Sequence, residues 1–218
     1  MEHESYGRAK SELPERTASV EERLLISAKQ LFAVKGYENA TTAAIARTAG
    51  TSESQLIKYF GSKEGLLESI FEHGWKEMAF IYDAVRITPN LRQRLENILA
   101  LVLQSFQKDP AMCELMLFEG RRIRRDGNSI VLTKGYFQLA NAVDEILTEM
   151  QKAGDIVPDI NVEAIRSALM GMLEGMLRDM MISRRMTFPA SWEMSELPRI
   201  FHLVLNGLLT EKGRAAKV

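Results

Sequence analysis

The segment 41–66, TTAAIARTAGTSESQLIKYFGSKEGL, constrains the fold more than any other part of this chain. The Thr41-Thr42 pair can cap a short helix, and Gly50 can end it in the left-handed conformation that most residues avoid. Ser52 and Gln55 then match the S-x-x-Q capping box at the start of a second helix. Two short helices joined by a glycine turn are typical of a helix-turn-helix, although the pattern also occurs in proteins that do not bind DNA.

The second helix of this pair carries most of the side chains that we expect to meet DNA. Leu56 and Phe60 lie four residues apart and face the interior, which leaves polar side chains near the exposed N-terminus. A third helix begins after Ser62, and its first turn favours an anion such as a DNA phosphate. The predicted groove and backbone contacts are Thr41, Thr42, Ser52, Glu53, Ser54, Gln55, Lys58, Tyr59 and Lys63.

A series of short motifs extends over about residues 20 to 70. They are Leu31-Phe32, Gly36-Tyr37, Thr41-Thr42, Ile45-Ala46, Ala49-Gly50, Ser52, Leu56-Ile57, Phe60 and Ser62-Lys63-Glu64-Gly65-Leu66. Together they resemble the N-terminal signature of the TetR family of bacterial transcriptional regulators. Ile57 departs from the pattern, because the family usually has a tyrosine there that contacts the DNA backbone. The resemblance therefore does not extend the backbone contact to Ile57, and an apolar contact, for instance with a thymine methyl group, is the alternative for this residue.

Helical periodicity continues along the rest of the chain, without a segment of the alternating polarity typical of β-strands. We therefore predict an all-α protein with an N-terminal three-helix helix-turn-helix head joined to a C-terminal helical body. The resemblance implies that this body binds a ligand and forms a dimer. The predicted parts are a mobile arm at residues 1–18, a DNA-binding domain at 19–66 and a ligand-binding and dimerisation domain at 67–218.

Several helix boundaries can be predicted from local signals. A capping box formed by Ser19 and Glu22 starts the first helix, which ends at Gly36. The helix after Ser62 is expected to run to about Val85. Within the body, a capping residue followed by proline predicts helix starts at Thr88-Pro89 and Asp109-Pro110.

Two groups of basic residues lie outside the helix-turn-helix. Whether Arg8, Lys10 and Arg16 of the arm reach a minor groove stays open, because the arm also carries four glutamates. The arginines at 121, 122, 124 and 125 lie far along the chain from the head and beside Asp126 and Gly127. We interpret that run as a solvated loop.

Composition excludes several classes of protein. A net charge of −1 over 218 residues argues against a strongly basic protein that binds nucleic acid without sequence specificity. The chain has one cysteine, so neither an intrachain disulfide nor a multi-cysteine zinc site is possible, and His73, His202 and Cys113 lack metal-ligand spacing. No cofactor is expected.

The absence of catalytic motifs predicts a non-enzyme. The absence of a signal peptide and of a long apolar run predicts a cytoplasmic protein without membrane contact.

The last two helices carry apolar residues on more than one face. Since one chain covers one side of such a helix, a second copy can cover the other, which predicts a homodimer through a four-helix bundle. The interface residues that we expect are Leu169, Met172, Met176, Ile200, Val204 and Leu208. Gly171 and Gly175 would permit close approach, although this spacing is weak evidence in a soluble protein.

Methionines and aromatic residues are frequent in the body. They either line an adaptable apolar cavity or fill an ordinary core. The candidate ligand-binding residues are Phe106, Met112, Met116, Tyr136, Phe137, Met170 and Glu174. Glu174 either faces the cavity, where it would select a cationic or hydrogen-bonding ligand, or pairs with Arg178 one turn later.

These features predict a sequence-specific regulator that binds double-stranded DNA. Paired recognition helices held ~34 Å apart match a palindromic operator. The resemblance implies a repressor that a small apolar or amphipathic effector releases from this operator. An activator, a regulator without a ligand, and a helical module that binds only protein are the alternatives.

Overall fold

A computed structural model describes residues 18–78, 81, 85–120, 134–184, 186–187, 189 and 192–215. The chain divides into two compact units, a head that ends at Ser69 and a body that begins at Ile70. The first helices are α1 (Val20–Lys35), α2 (Thr42–Thr48), α3 (Glu53–Phe60) and α4 (Lys63–Glu77). The remaining helices are α5 (Leu91–Lys108), α6 (Pro110–Glu119), α7 (Lys134–Lys152), α8 (Val162–Ser183), α9 (Glu196–Leu208) and α10 (Glu211–Ala215).

This architecture confirms the predicted all-α fold with its N-terminal helix-turn-helix. Within the described ranges, the single departure from helices and their connections is an isolated antiparallel bridge between Ile156 and Leu209. The predicted arm and the four-arginine run lie outside the described residues, apart from Ala18. None of the described helices is long and apolar enough to cross a membrane.

The head is held together by well-formed caps and a small core. Ser19 accepts a hydrogen bond from the Glu22 amide at 3.2 Å, and the Ser19 amide donates to the Glu22 carboxylate at 2.8 Å, so the predicted capping box is confirmed. Gly36 ends α1 with a φ of 78°. The Phe32 ring packs on Tyr37 with 5.0 Å between centroids. The fully buried side chains around them include Leu24, Ile45, Leu56 and Leu66.

The helix that begins after Ser62 is shorter than predicted. It ends at Glu77, before the expected end near Val85, and Met78 lies in a turn. The Met78 amide is 3.2 Å from the Gly74 carbonyl and 3.1 Å from the Trp75 carbonyl. This tightening of the last turn toward the i−3 partner ends the regular α-helix.

The start of α5 also differs from the prediction. The cap is Asn90, whose side chain accepts from the Gln93 amide at 3.0 Å, so Pro89 precedes the helix and does not open it. Asp109 caps α6 as predicted, with its carboxylate 3.0 Å from the Met112 amide. Helices α5 to α9 enclose one apolar core, whose fully buried side chains include Leu147, Leu177 and Leu205.

Candidate functional site

The turn between α2 and α3 sets the geometry of the helix-turn-helix. Gly50 has a φ of 65°, which a residue with a Cβ rarely adopts. The Thr51 amide then donates to the Ala46 carbonyl at 2.9 Å, and Ser52 caps α3. Of the predicted S-x-x-Q capping box, the serine half forms, with Ser52 Oγ accepting from the Gln55 amide at 3.3 Å. The recognition helix therefore starts where the sequence predicts.

Helix α3 buries one side and exposes the other. Leu56 is fully buried and Gln55 is half-buried. The predicted DNA contacts that are exposed are Thr41, Ser52, Glu53, Ser54, Ile57, Lys58 and Tyr59. The side chains of Ile57 and Tyr59 are each 46% exposed, which is unusual for large apolar and aromatic residues in so small a unit. The surface is thus accessible, and its contact with DNA stays a prediction.

Three hydroxyl groups at this surface have different hydrogen-bonding roles. Thr41 Oγ1 accepts from the Ala44 amide at 3.2 Å and Ser52 Oγ accepts from its own helix, so each keeps a hydroxyl proton to donate. Thr42 instead donates its proton to the Glu53 carboxylate. Thr41 and Ser52 are therefore suited to a phosphate oxygen, whereas Thr42 positions an acidic side chain.

Lys63 is anchored within the head. Its Nζ lies 3.3 Å from the Glu38 carbonyl oxygen and 4.3 Å from the centre of the Tyr37 ring. Ser62 Oγ accepts from the Gly65 amide at 3.0 Å and so caps the same helix start. These contacts hold the ammonium group between the first turn of α4 and the loop before α2, which sequence spacing did not indicate.

The body contains a cavity of about 130 Å³. Side chains from α4 to α9 line it, and most of them are apolar. They are Phe71, Trp75, Met78, Leu95, Ile98, Leu99, Val102, Phe106, Met116, Leu117, Gly120, Tyr136, Leu139, Val143, Leu169, Met170, Leu173, Glu174, Leu177 and Phe201. Among these residues Glu174 carries the only charge. The wall is therefore suited to an apolar ligand with one polar group.

Most of the predicted ligand-binding residues reach this wall. Phe106, Met116, Tyr136, Met170 and Glu174 line the cavity. Met112 and Phe137 are corrections, because neither lines it. Met112 packs against Gly74, and Phe137 is 52% exposed. Neighbouring residues on a helix point about 100° apart, so Phe137 cannot share the direction of Tyr136.

The predicted dimer face requires one correction. Leu169 is 3% exposed and lines the cavity, so it belongs to the core of its own subunit. Val204 is 39% exposed and its neighbour Leu203 is 65% exposed. The other predicted interface residues, Met172, Met176, Ile200 and Leu208, are half-buried.

Small residues form part of the outer face of α8, and they include two alanines besides the predicted Gly171 and Gly175. Ala164, Ala168 and Gly171 are exposed, and Gly175 follows at the same helical spacing. A Cβ built on Gly171 or Gly175 would meet no atom within 4 Å. Another helix can therefore approach the backbone of α8 closely.

The candidate metal ligands are not brought together. His73 lies 3.8 Å from Glu77, and His202 contacts Arg92 and Glu96. Burial raises the pKa of the Cys113 thiol to about 12, so this cysteine is neutral and inert at physiological pH. Within the described part of the chain, no three metal-binding side chains cluster.

Comparison with known proteins links the head to a family. Residues 24–70 match the model of "Bacterial regulatory proteins, tetR family". The HTH-type transcriptional regulator UidR of Escherichia coli K12 is 25% identical over 158 residues, which cover 72% of this chain and 79% of UidR. The nucleoid occlusion factor SlmA of Vibrio cholerae is 28% identical over 167 residues, covering 72% of this chain and 81% of SlmA.

Solved structures show the same fold over most of both chains. The fatty acid degradation regulator FadR from Bacillus halodurans superposes with a TM-score of 0.74 at 18% identity, covering 88% of this chain and 97% of FadR. FadR from Bacillus subtilis, in complex with stearoyl-CoA, gives a TM-score of 0.70 at 17% identity, covering 85% and 97%. The head therefore matches the TetR family of bacterial regulatory proteins, and the chain as a whole shares the fold of these solved regulators.

Proposed function

We propose that this regulator is a homodimeric repressor that binds a palindromic operator through α3 and is released when a small apolar or amphipathic ligand fills the body cavity. The observation that carries the proposal is that one chain combines an exposed polar recognition helix with an apolar cavity. Among the described residues that line this cavity, Glu174 alone is charged. UidR is named as a transcriptional regulator, and the Bacillus subtilis FadR structure is named as a complex with stearoyl-CoA. The first name supports a role in transcription, and the second supports a response to a ligand. The regulator would act in the cytoplasm.

The outer face of α8 and α9 supports the dimer. The two helices pack on one another and leave Val204, Leu203 and Gly171 exposed. A two-fold partner that covers this face would place two copies of α3 at a fixed separation, as a palindrome requires.

Sedimentation of a Val204→Glu variant tests the dimer. The buried carboxylate would disfavour the interface, so the variant should sediment as a monomer and lose operator affinity. Ile160→Glu is the matched control, since Ile160 is similarly exposed at 44% but lies in the loop before α8. Dimeric Val204→Glu would place the interface elsewhere.

Helix α4 supports the coupling between ligand and DNA. Its residues Phe71 and Trp75 line the cavity, and the same helix begins at Lys63 in the head. This coupling needs two conformations that differ in the placement of α4 and therefore in the distance between the two heads of the dimer. A ligand that binds one of these conformations more tightly shifts the population toward it. At saturating ligand, operator affinity then falls by at most the ratio of the two ligand affinities.

Selection of bound fragments from genomic DNA tests the proposal directly. We expect enrichment of a palindrome whose half-sites are centred about one helical turn apart. A reporter gene under that sequence should be silenced by the protein and restored by ligand. Activation of the reporter, or silencing that no ligand relieves, would favour the alternative regulators.

Ligand binding is tested by screening amphipathic compounds for a shift in thermal stability. A Val102→Phe variant, which narrows the cavity from α5, should lose the shift and keep operator binding. If both proteins respond equally, the ligand binds outside the cavity.

The relatives named as nucleoid occlusion factors favour a second candidate, a DNA-binding protein that acts in nucleoid occlusion. Such a protein would enrich many chromosomal fragments without changing transcription of neighbouring genes. A helical module that binds only protein would enrich none.

A further inference from the structure

We propose that Glu53 reads a cytosine in each operator half-site and that Thr42 holds its carboxylate in place for this contact. The inference rests on the proposed binding of DNA through α3, and it names the base that this surface selects. A hydrogen bond links the first residues of α2 and α3, Thr42 and Glu53.

The carboxylate of Glu53 is fixed before DNA arrives. Glu53 is the first residue of α3 and is exposed, and Thr42 is the first residue of α2. The Thr42 hydroxyl donates to Glu53 Oε1 across the turn, between residues 11 positions apart in the chain. A free glutamate side chain would lose rotamer freedom on binding a base. Because the hydrogen bond to Thr42 already restricts the side chain in the free protein, less conformational entropy is lost on binding a base.

An acidic side chain at this surface needs a specific partner. A carboxylate accepts hydrogen bonds and repels phosphate, so Glu53 weakens binding to DNA in general. Thr42 occupies one oxygen, and the two oxygens together offer about four lone-pair positions. Where the interface with DNA excludes water, a hydrogen-bond donor on a base edge would satisfy the remaining acceptor positions.

Two donors exist on the base edges of the major groove, the N4 amino group of cytosine and the N6 amino group of adenine. Adenine presents the N7 acceptor beside N6, which repels a carboxylate. Guanine and thymine present acceptors, O6 with N7 and O4 respectively. Cytosine is therefore the base that Glu53 should prefer, by about 10-fold to 100-fold over the others.

Selection from DNA with a randomised half-site tests the assignment. The wild-type protein should enrich one position for cytosine. Glu53→Gln should change the preference at that position to adenine, whose N6 and N7 a glutamine matches, and leave the other positions unchanged. Thr42→Val keeps Glu53 but removes the hydroxyl, so the cytosine preference should weaken without changing its base.

Glu21→Gln is the matched control for charge. Glu21 is exposed in the first turn of α1, and its substitution also removes one negative charge from the head. This variant should select the wild-type site. If Glu21→Gln changed the base preference as Glu53→Gln does, the effect would be one of charge, and the assignment would be wrong.

A change in the DNA keeps the test independent of protein folding. Replacing the selected cytosine by an analogue without the N4 amino group should weaken wild-type binding about 10-fold or more and leave Glu53→Gln nearly unaffected. Equal losses for both proteins would overturn the role of Glu53 while DNA binding itself stands. If the wild-type protein enriched no sequence at all, the proposed function would fail, and this inference with it.

Discussion

Arg23 of α1 donates a hydrogen bond from Nε to the backbone carbonyl of Ala49, the residue that ends α2, at 2.9 Å. The same guanidinium donates from Nη1 to the Ala18 carbonyl at 2.8 Å. The last carbonyls of a helix have no partner within the helix, so a cation there satisfies a hydrogen bond and the helix dipole together. Arg23 thereby holds the end of α2 in place, just before the turn that sets the orientation of α3.

Substitution of Arg23 by alanine should loosen α2 and the turn. A hydrogen bond from a charged donor contributes about 1.5 to 3 kcal/mol, so amide exchange in α2 and α3 should speed up about 10-fold to 100-fold. Hydrogen exchange with mass spectrometry measures this for the head. Arg47→Ala removes an exposed arginine from α2 and should leave exchange nearly unchanged. If the two variants exchanged alike, Arg23 would have no special role.

The helix caps of the head could be predicted from the sequence, whereas the hydrogen bond of Arg23 to Ala49 could not. Caps such as Ser19, Thr41 and Ser52 involve residues three positions apart, so their chemistry is visible in the order of residues. Arg23 and Ala49 are 26 residues apart, and no local sequence pattern indicates which carbonyl accepts the hydrogen bond of this arginine.

The body shows a second limit. Helical spacing identified Leu169 and Val204 as apolar positions, but it could not say that the first faces the cavity and the second faces outward. Apolar residues surround most of these helices, so the periodicity does not distinguish a core face from an interface. Five of the seven candidate ligand residues line the cavity because they share faces with the core, which spacing does detect.

Replacing Ser27 by alanine should stabilise the head. Ser27 is fully buried in α1, and its hydroxyl has no hydrogen-bond partner among the residues that the structure describes. Burying an unsatisfied polar group costs about 1 to 3 kcal/mol, and alanine also has the better helix propensity. Exchange of the α1 amides should slow several-fold. Ser69→Ala is the control, because Ser69 Oγ donates to the Gly65 carbonyl at 2.8 Å and would lose that bond. Faster exchange in Ser27→Ala would contradict the prediction.

A methyl group at Gly135 should disrupt the wall of the cavity. A Cβ there would lie 2.2 Å from Trp75 Cγ and 2.3 Å from Trp75 Cβ, and the Trp75 Cβ cannot move without the backbone. Overpacking of this kind costs about 1 to 3 kcal/mol. Urea unfolding followed by tryptophan fluorescence reports on the body, because Trp75 and Trp192 both lie there and the chain has two tryptophans.

Gly74→Ala is the comparison for this overpacking. Its Cβ would meet the flexible end of Met112, with Cε at 2.2 Å, and methionine can move aside. We expect a smaller loss of stability than for Gly135→Ala. Equal midpoints for the two variants would mean that Trp75 shifts as readily as Met112.

The thiol of Cys113 should be unreactive until the body unfolds. Burial raises its pKa from 9.0 to about 12, an effect that the nearby positive charge of Arg184 offsets only in part. Since the thiolate is the reactive form, a disulfide reagent should label the native protein slowly at pH 8 and the urea-unfolded protein rapidly. The chain has one cysteine, so the signal is unambiguous.

The same pKa predicts the pH dependence of stability. The folded state holds the proton more tightly than the unfolded state, so this stabilisation is fully present below pH 9. Between pH 9 and about 12 the unfolded chain releases the proton first, and the free energy of unfolding should fall. Cys113→Ala removes this contribution, so its stability should decline less steeply over that range. A native thiol that reacts at pH 8 as fast as the unfolded one would show that α6 opens readily and that burial does not protect it.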